Sequence, residues 1–165
     1  RTVAQGNGTS FSNPNIAGLV ACLWQAFPEF SNKEIIAAVR KSGDRYSNPD
    51  VRTGYGIPNM RLAYEILEKE RNIRKAKAIL KSDRLKIYPN PMTDQFTIVY
   101  NGKANGKLSV QLLSIEGKLI RNISYDVLEN EYYFFNVNGL GIQGSGQYIL
   151  SYKDGIGAGT LKIMK

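Results

Sequence analysis

The spacing of apolar residues changes once along this chain, near Asp83, from helical intervals to alternation. A chain with that switch has to build two kinds of packing, because a 3.6-residue period and a 2-residue period turn their apolar faces toward different partners. Before the switch, residues 14–27 read Ile16, Ala17, Leu19, Val20, Ala21, Cys22, Leu23, Trp24, Ala26 and Phe27. That is apolar on nearly every face of a helix, and such a helix belongs inside a larger protein. Pro28 ends it. Ser31-Asn32-Lys33-Glu34 has the spacing of a capping box and opens a second, amphipathic helix through Ile35, Ile36, Ala38 and Val39 toward Gly43. Residues 44–59, rich in Gly, Pro, Asn and Asp, read as a loop in which Gly54 and Gly56 permit positive backbone dihedrals. A third helix carries Leu62, Ala63, Ile66, Leu67, Ile73, Ala76 and Leu80 at helical intervals, its stripe weakened by charge after Glu68. Beyond the switch, residues 85–88, 95–100 and 108–113 alternate, and 118–124, 131–136, 147–153 and 159–164 add further candidate strands. About seven short strands with Gly or Asn between many of them is the pattern of a β-sandwich.

At 165 residues, 42% apolar and 22% charged, the chain suits one ordinary domain or two small ones and is not composed like a disordered segment. The single cysteine, Cys22, excludes an internal disulfide framework and a multi-cysteine metal site, and it is expected to be a small buried residue. No apolar run reaches the roughly 18 residues of a membrane span. Arg1-Thr2-Val3-Ala4-Gln5-Gly6 has neither an initiator methionine nor a signal-peptide pattern, so an upstream part of a longer polypeptide is expected to precede it. The formal net charge of +8 would suit nucleic acid or an anionic membrane surface. Residues 69–86 concentrate it, with eight Lys and Arg against Glu70 and Asp83, but these are spread round a helix without clustered aromatics. A solvated connector is therefore expected and no nucleic acid partner; nucleic acid binding would show as affinity falling steeply with salt.

Gly8-Thr9-Ser10, followed by Phe11-Ser12-Asn13-Pro14-Asn15-Ile16-Ala17-Gly18, places an alcohol just ahead of the apolar helix. Ser10 and Ser12 could merely cap that helix. Alternatively Ser10 is a nucleophile, which requires a base to take its proton and donors for the oxyanion that forms. The run resembles the serine motif of the subtilisin-like proteases, with Pro14, Ala17 and Gly18 at that family's positions. Gly54-Tyr55-Gly56-Ile57-Pro58-Asn59 with Ala63 is similar to the segment near that family's domain end. The resemblance covers roughly residues 6–68, the C-terminal portion of a protease domain. It implies that Ser10 is the acylated nucleophile, with its own backbone amide as one oxyanion donor and Gly8 and Thr9 supporting the turn. The chain contains no histidine, so a Ser-His-Asp triad cannot be assembled from its residues. The family's histidine, aspartate and oxyanion asparagine belong upstream of this motif, and Asn7 and Asn13 are no substitutes. Phe11 and Asn15 stand where the family often has methionine and histidine, at positions outside the triad. The resemblance further implies a peptide or protein substrate and no cofactor held by these residues, the calcium sites common in that family belonging upstream.

In the alternating half, Tyr88-Pro89-Asn90-Pro91, Leu112-Leu113-Ser114-Ile115-Glu116-Gly117-Lys118 and Gly146-Gln147-Tyr148-Ile149-Leu150 precede a terminal Lys162-Ile163-Met164-Lys165. Pro89 and Pro91 cannot donate ladder hydrogen bonds, so they stop or edge the first strand. Glu116-Gly117 makes a hairpin turn between Leu112 and Leu119, and Tyr148 is expected to anchor the core. In Tyr132-Tyr133-Phe134-Phe135, alternation puts one pair inward and the other outward. An accessory sandwich, sugar-binding or adhesive, would also carry such features. The ordered set resembles the C-terminal sorting domain of the type IX secretion system of Bacteroidetes. That implies an export address read by an outer-membrane translocon and removed by a sortase-like peptidase, and a protein that passes through the periplasm to the cell surface or outside. The expected architecture is an α/β fragment, the helical C-terminal part of a subtilisin-like fold (1–68), a charged helical linker (69–84) and an all-β immunoglobulin-like sandwich (85–165). The rival to a serine endopeptidase is a non-catalytic surface or binding protein, a pseudoprotease exported by the same domain.

Overall fold

The computed structural model describes residues 8–142 and 144–165. Residues 1–7, which include the start of the chain and Asn7, lie outside the described residues. The chain divides into two compact units at Arg71 and Asn72.

In the first unit a 3₁₀ turn, Thr9–Phe11, leads into α1 (Ser12–Ala26), followed by α2 (Asn32–Lys41) and the first part of α3 (Met60–Leu80). The capping box forms as expected: one Glu34 carboxylate oxygen accepts both the Ser31 backbone N–H and the Ser31 hydroxyl, each at 2.8 Å. At the start of α3, Asn59 Oδ1 accepts the Leu62 N–H at 3.1 Å. The intervening loop is organised by two carboxylates. Asp44 accepts the Ile57 N–H at 2.8 Å, and Asp50 accepts the N–H groups of Arg52 and Thr53, each at 2.7 Å. Gly56, at φ +79, passes so close that a Cβ there would lie 1.7 Å from Asp44 Oδ1.

Leu23, Phe27, Phe30, Ile35, Ala38, Val39, Ala63 and Leu67 form the core of this unit. Each large side chain among them contributes about 1.5–3 kcal/mol by leaving water. Arg71 closes one end: its guanidinium lies 4.2 Å above the Phe27 ring, pairs with Glu29 at 2.5 Å and donates to the Ala26 carbonyl at 2.6 Å. Helix α1 is poorly covered. Leu23 is its only fully buried residue, while Trp24 is 45% exposed. Cys22 is exposed too, against the expectation of a buried residue. It falls outside the stripe of Leu19, Val20, Leu23 and Phe27 by which α1 packs, and Ala17, Ala21 and Trp24 are exposed with it.

The second unit holds the seven expected strands: β1 (Leu85–Tyr88), β2 (Phe96–Asn101), β3 (Gly106–Ser114), β4 (Leu119–Val127), β5 (Tyr132–Val137), β6 (Gln147–Lys153) and β7 (Ala158–Met164). They form two antiparallel sheets, β1-β2-β5 and β4-β3-β6-β7. Alternation sets which residues face inward. Phe96, Ile98 and Tyr100 of β2 share one core with Leu108, Val110 and Leu112 of β3, Leu150 of β6 and Ile163 of β7. From the aromatic run, Tyr133 and Phe135 pack on that core, as alternation requires of one pair. On the outer face Val99 is fully buried beneath Ala76 and Leu80, with Ile79 and Tyr132 around it. The last turns of α3 therefore bury apolar residues of segment 69–84 on the sheet.

Gly102 is placed by close backbone approach. It accepts the Asn130 N–H at 2.8 Å and donates to the Glu131 carbonyl at 2.9 Å, and a Cβ would lie 2.1 Å from the Leu128 carbonyl oxygen. Because that obstacle is backbone, Gly102→Ala is expected to destabilise the second unit by about 1–3 kcal/mol. The measurement is the urea midpoint followed by tyrosine near-UV dichroism; an unchanged midpoint would contradict this packing.

Candidate functional site

Ser10 occupies the middle of the 3₁₀ turn. The turn is closed by the Phe11 N–H donating to the Gly8 carbonyl at 3.1 Å, and the Ser12 N–H donates to the Thr9 carbonyl. Gly8, Thr9 and Ser10 are all exposed, and Thr9, Ser10, Ser12, Asn13 and Ile16 line an open depression. The residue in the N-cap position of α1 is Phe11, so neither Ser10 nor Ser12 stands where a hydroxyl caps a helix. The first turn of α1 has no acidic residue, which leaves the positive end of its dipole available to negative charge nearby. The arrangement offers an accessible hydroxyl beside a helix start. It offers no imidazole, since the chain has none. Among the described residues no group of three His, Cys, Asp or Glu is placed to hold a metal ion.

The strand-half motifs lie in the second unit, and several of them meet at one end of it. β1 stops at Tyr88, before Pro89 and Pro91, and it is an edge strand. Asn90, between those prolines, reaches β7: its side chain accepts the Met164 N–H at 3.0 Å and donates to the Lys162 carbonyl at 3.3 Å. Gly146 exchanges backbone hydrogen bonds with Lys165, at 3.0 and 3.2 Å. Tyr148 of β6 lies between Ser114 of β3 and Ile163 of β7 and packs on the core. Ser114 is also the base of the β3–β4 turn, where its N–H donates to the Lys118 carbonyl at 2.9 Å and Gly117 takes φ +84. Tyr88 itself is 61% exposed. Asn90 belongs to the motif Tyr88-Pro89-Asn90-Pro91, in which only the prolines carry an expected physical role. The available signal was a polar side chain between two residues that lack N–H groups. Asn90→Ala should cost about 1 kcal/mol and raise the hydrogen-exchange rate of the Met164 amide; an unchanged rate would contradict the link.

A buried polar network escaped the sequence altogether. Asp154, in the β6–β7 turn, is 8% exposed. It accepts the Tyr100 hydroxyl at 2.8 Å and the N–H groups of Ile156 and Gly157 at 2.9 and 3.0 Å, and it pairs with Arg84 at 3.3 Å. Burial pushes its carboxyl up, but the two amides, the Tyr100 hydroxyl and the guanidinium together outweigh that and hold it below the usual carboxylate value. The Tyr100 hydroxyl is pushed well above its ordinary value, first by burial and then by the carboxylate it donates to. Arg84 also lies 5.5 Å from the centre of the Tyr152 ring. These groups tie the segment before β1 and strand β2 to the β6–β7 turn of the opposite sheet.

Residues 86–165 match the family described as secretion system C-terminal sorting domain, and residues 1–57 match the subtilase family. No curated protein matches the chain. Among solved structures, the catalytic module of the multi-modular glycogen-degrading pneumococcal virulence factor SpuA is similar at 14% identity and a TM-score of 0.32, over 53% of this chain and 13% of that one. A product complex described as that of a multi-modular glycogen-degrading pneumococcal virulence factor SpuA gives 15% and 0.34, over 53% of this chain and 10% of that one. The chain thus spans only 10–13% of the length of these structures, and so slight a likeness carries no argument.

Proposed function

This chain joins a subtilase-family segment to a secretion-system C-terminal sorting domain, and from that premise we propose that Ser10 is the nucleophile of a secreted serine endopeptidase. The observation that supports this most is the place of Ser10: exposed, in a turn ahead of α1, and outside the capping position that Phe11 takes. In the proposed reaction an imidazole from outside these residues accepts the Ser10 Oγ proton as that oxygen attacks the peptide carbonyl carbon. The oxyanion receives the Ser10 backbone N–H, and Gly8 and Thr9 shape the turn that admits substrate backbone. The imidazolium then protonates the leaving amine, and water releases the acyl group by the same route in reverse. The substrate is a peptide or protein, and no step draws a cofactor from this chain. A pseudoprotease would keep the same turn without a base.

Because no residue here is histidine, the 165-residue chain alone should hydrolyse no peptide. Ser10-dependent turnover of a fluorogenic peptide by the purified chain would contradict the reading.

The sorting domain directs the protein to the cell surface or the exterior. We infer that the type IX machinery reads it folded, since its motifs are joined by long-range hydrogen bonds at one end of the sandwich. Removal of the sorting domain within residues 69–84 would have to cut a helix that buries Ala76 and Leu80, except at the exposed turn of Lys81, Ser82 and Asp83. Mass spectrometry of the secreted mature protein should place the new C-terminus in that turn; an intact Lys165 end would refute it.

A further inference from the structure

The outer face of the β1-β2-β5 sheet carries rows of side chains fixed by strand register. Val99 and Tyr132 lie on this face toward the last turns of α3. The row formed by Tyr88, Thr97 and Asn136, one residue from each strand, stays open. With Phe134 it forms the floor of a cleft of about 550 Å³, walled by Asn72, Lys75 and Ile79 of α3. That size falls within the roughly 300–1,000 Å³ of small-ligand sites. Every one of these residues belongs to the second unit.

The lining has a definite chemistry. Tyr88 and Phe134 are 61% and 36% exposed, so two aromatic side chains offer apolar surface to an occupant. The Thr97 hydroxyl donates to Asn136 Oδ1 at 2.7 Å. That bond fixes the amide and leaves its NH₂ as donor and the threonine oxygen as acceptor. Asn72 adds a second amide. Among the described residues Lys75 is the single charged member of the lining, which includes no carboxylate. The next cation on the same sheet face, Lys86, is paired with Asp83 at 3.0 Å.

A purely apolar occupant would strand the hydroxyl and both amides, and a small inorganic anion would leave the aromatic faces unused. A strand-like peptide gains no ladder hydrogen bonds, because the cleft lies on the face of the sheet and not along its edge. The ligand that satisfies all of these groups has flat apolar faces, a rim of hydroxyls and one negative charge. We propose that this cleft is a saccharide site, selective for pyranose rings that carry a carboxylate.

The test is calorimetric titration of the 165-residue chain with tetragalacturonate, with maltotetraose and with a capped Phe-Leu-Phe tripeptide. Tetragalacturonate should bind saturably and at least tenfold more tightly than maltotetraose. Tyr88→Ala and Phe134→Ala should each weaken both sugars at least fivefold, and Lys75→Gln should erase the preference for the acidic one. Both aromatic side chains are exposed enough to be removed without loss of the fold, which an unchanged urea midpoint would verify. The proposal is overturned by three outcomes: no saturation with tetragalacturonate, binding unaltered by the aromatic variants, as adhesion to the basic surface at large would give, or tighter binding of the tripeptide.

Discussion

Asp154→Ala is expected to destabilise the second unit by about 3–5 kcal/mol, the usual cost of breaking one side of a buried ion pair. The substitution strands the hydroxyl of the fully buried Tyr100 and the amides of Ile156 and Gly157, and removes the partner of Arg84. Asp154→Asn keeps the shape and should lose less. The network also predicts a pH dependence. Its carboxyl is held below the unfolded value of 3.8, so its stabilisation is complete well above pH 3.8 and disappears as pH falls below that value toward the folded one. Asp154→Asn should flatten that part of the acid profile. Trp24 is the only tryptophan and lies in the first unit, while tyrosine near-UV dichroism is weighted toward the second, so the units can be followed separately in urea. A loss under about 1 kcal/mol would mean that water replaces the network easily.

Ser10→Ala should lower kcat for peptide hydrolysis by a factor on the order of 10⁶ in the polypeptide that brings a histidine base to this turn, with KM little changed. The size of that loss separates a nucleophile from a purely structural hydroxyl, since even one that caps a helix is worth only about 0.5–2 kcal/mol of stability and nothing in chemistry. Ser12→Ala is the internal control: Ser12 lies in the same depression and starts α1, yet it should leave turnover within a few-fold. Equal losses from the two substitutions would make the effect one of turn structure.

What could be read in advance were features that depend on residues close in sequence. The Ser31 to Glu34 capping box, the Gly117 turn and all seven strands follow from local spacing, and the structure holds them. Alternation along β5 required one pair of the aromatic run to face inward, and packing against the other sheet made that pair Tyr133 and Phe135. What could not be read depends on residues brought together from a distance. Nothing near Asp154 announces a burial that relies on Tyr100, 54 positions earlier, and Asn90 meets Met164 across 74 positions. Cys22 was misjudged for a related reason, since burial on an all-apolar helix depends on which faces other elements reach, and here Trp24 and Cys22 lie off that side. The serine turn was legible as a motif. A histidine to serve as its base was not, because the chain contains none.

The most direct test is covalent. A fluorophosphonate should label the secreted polypeptide that contains these residues, mass spectrometry of the digest should place the adduct on the Ser10 oxygen, and Ser10→Ala should abolish it. A polypeptide that is folded and exported but takes up no label, or takes it up on another serine, would contradict the account.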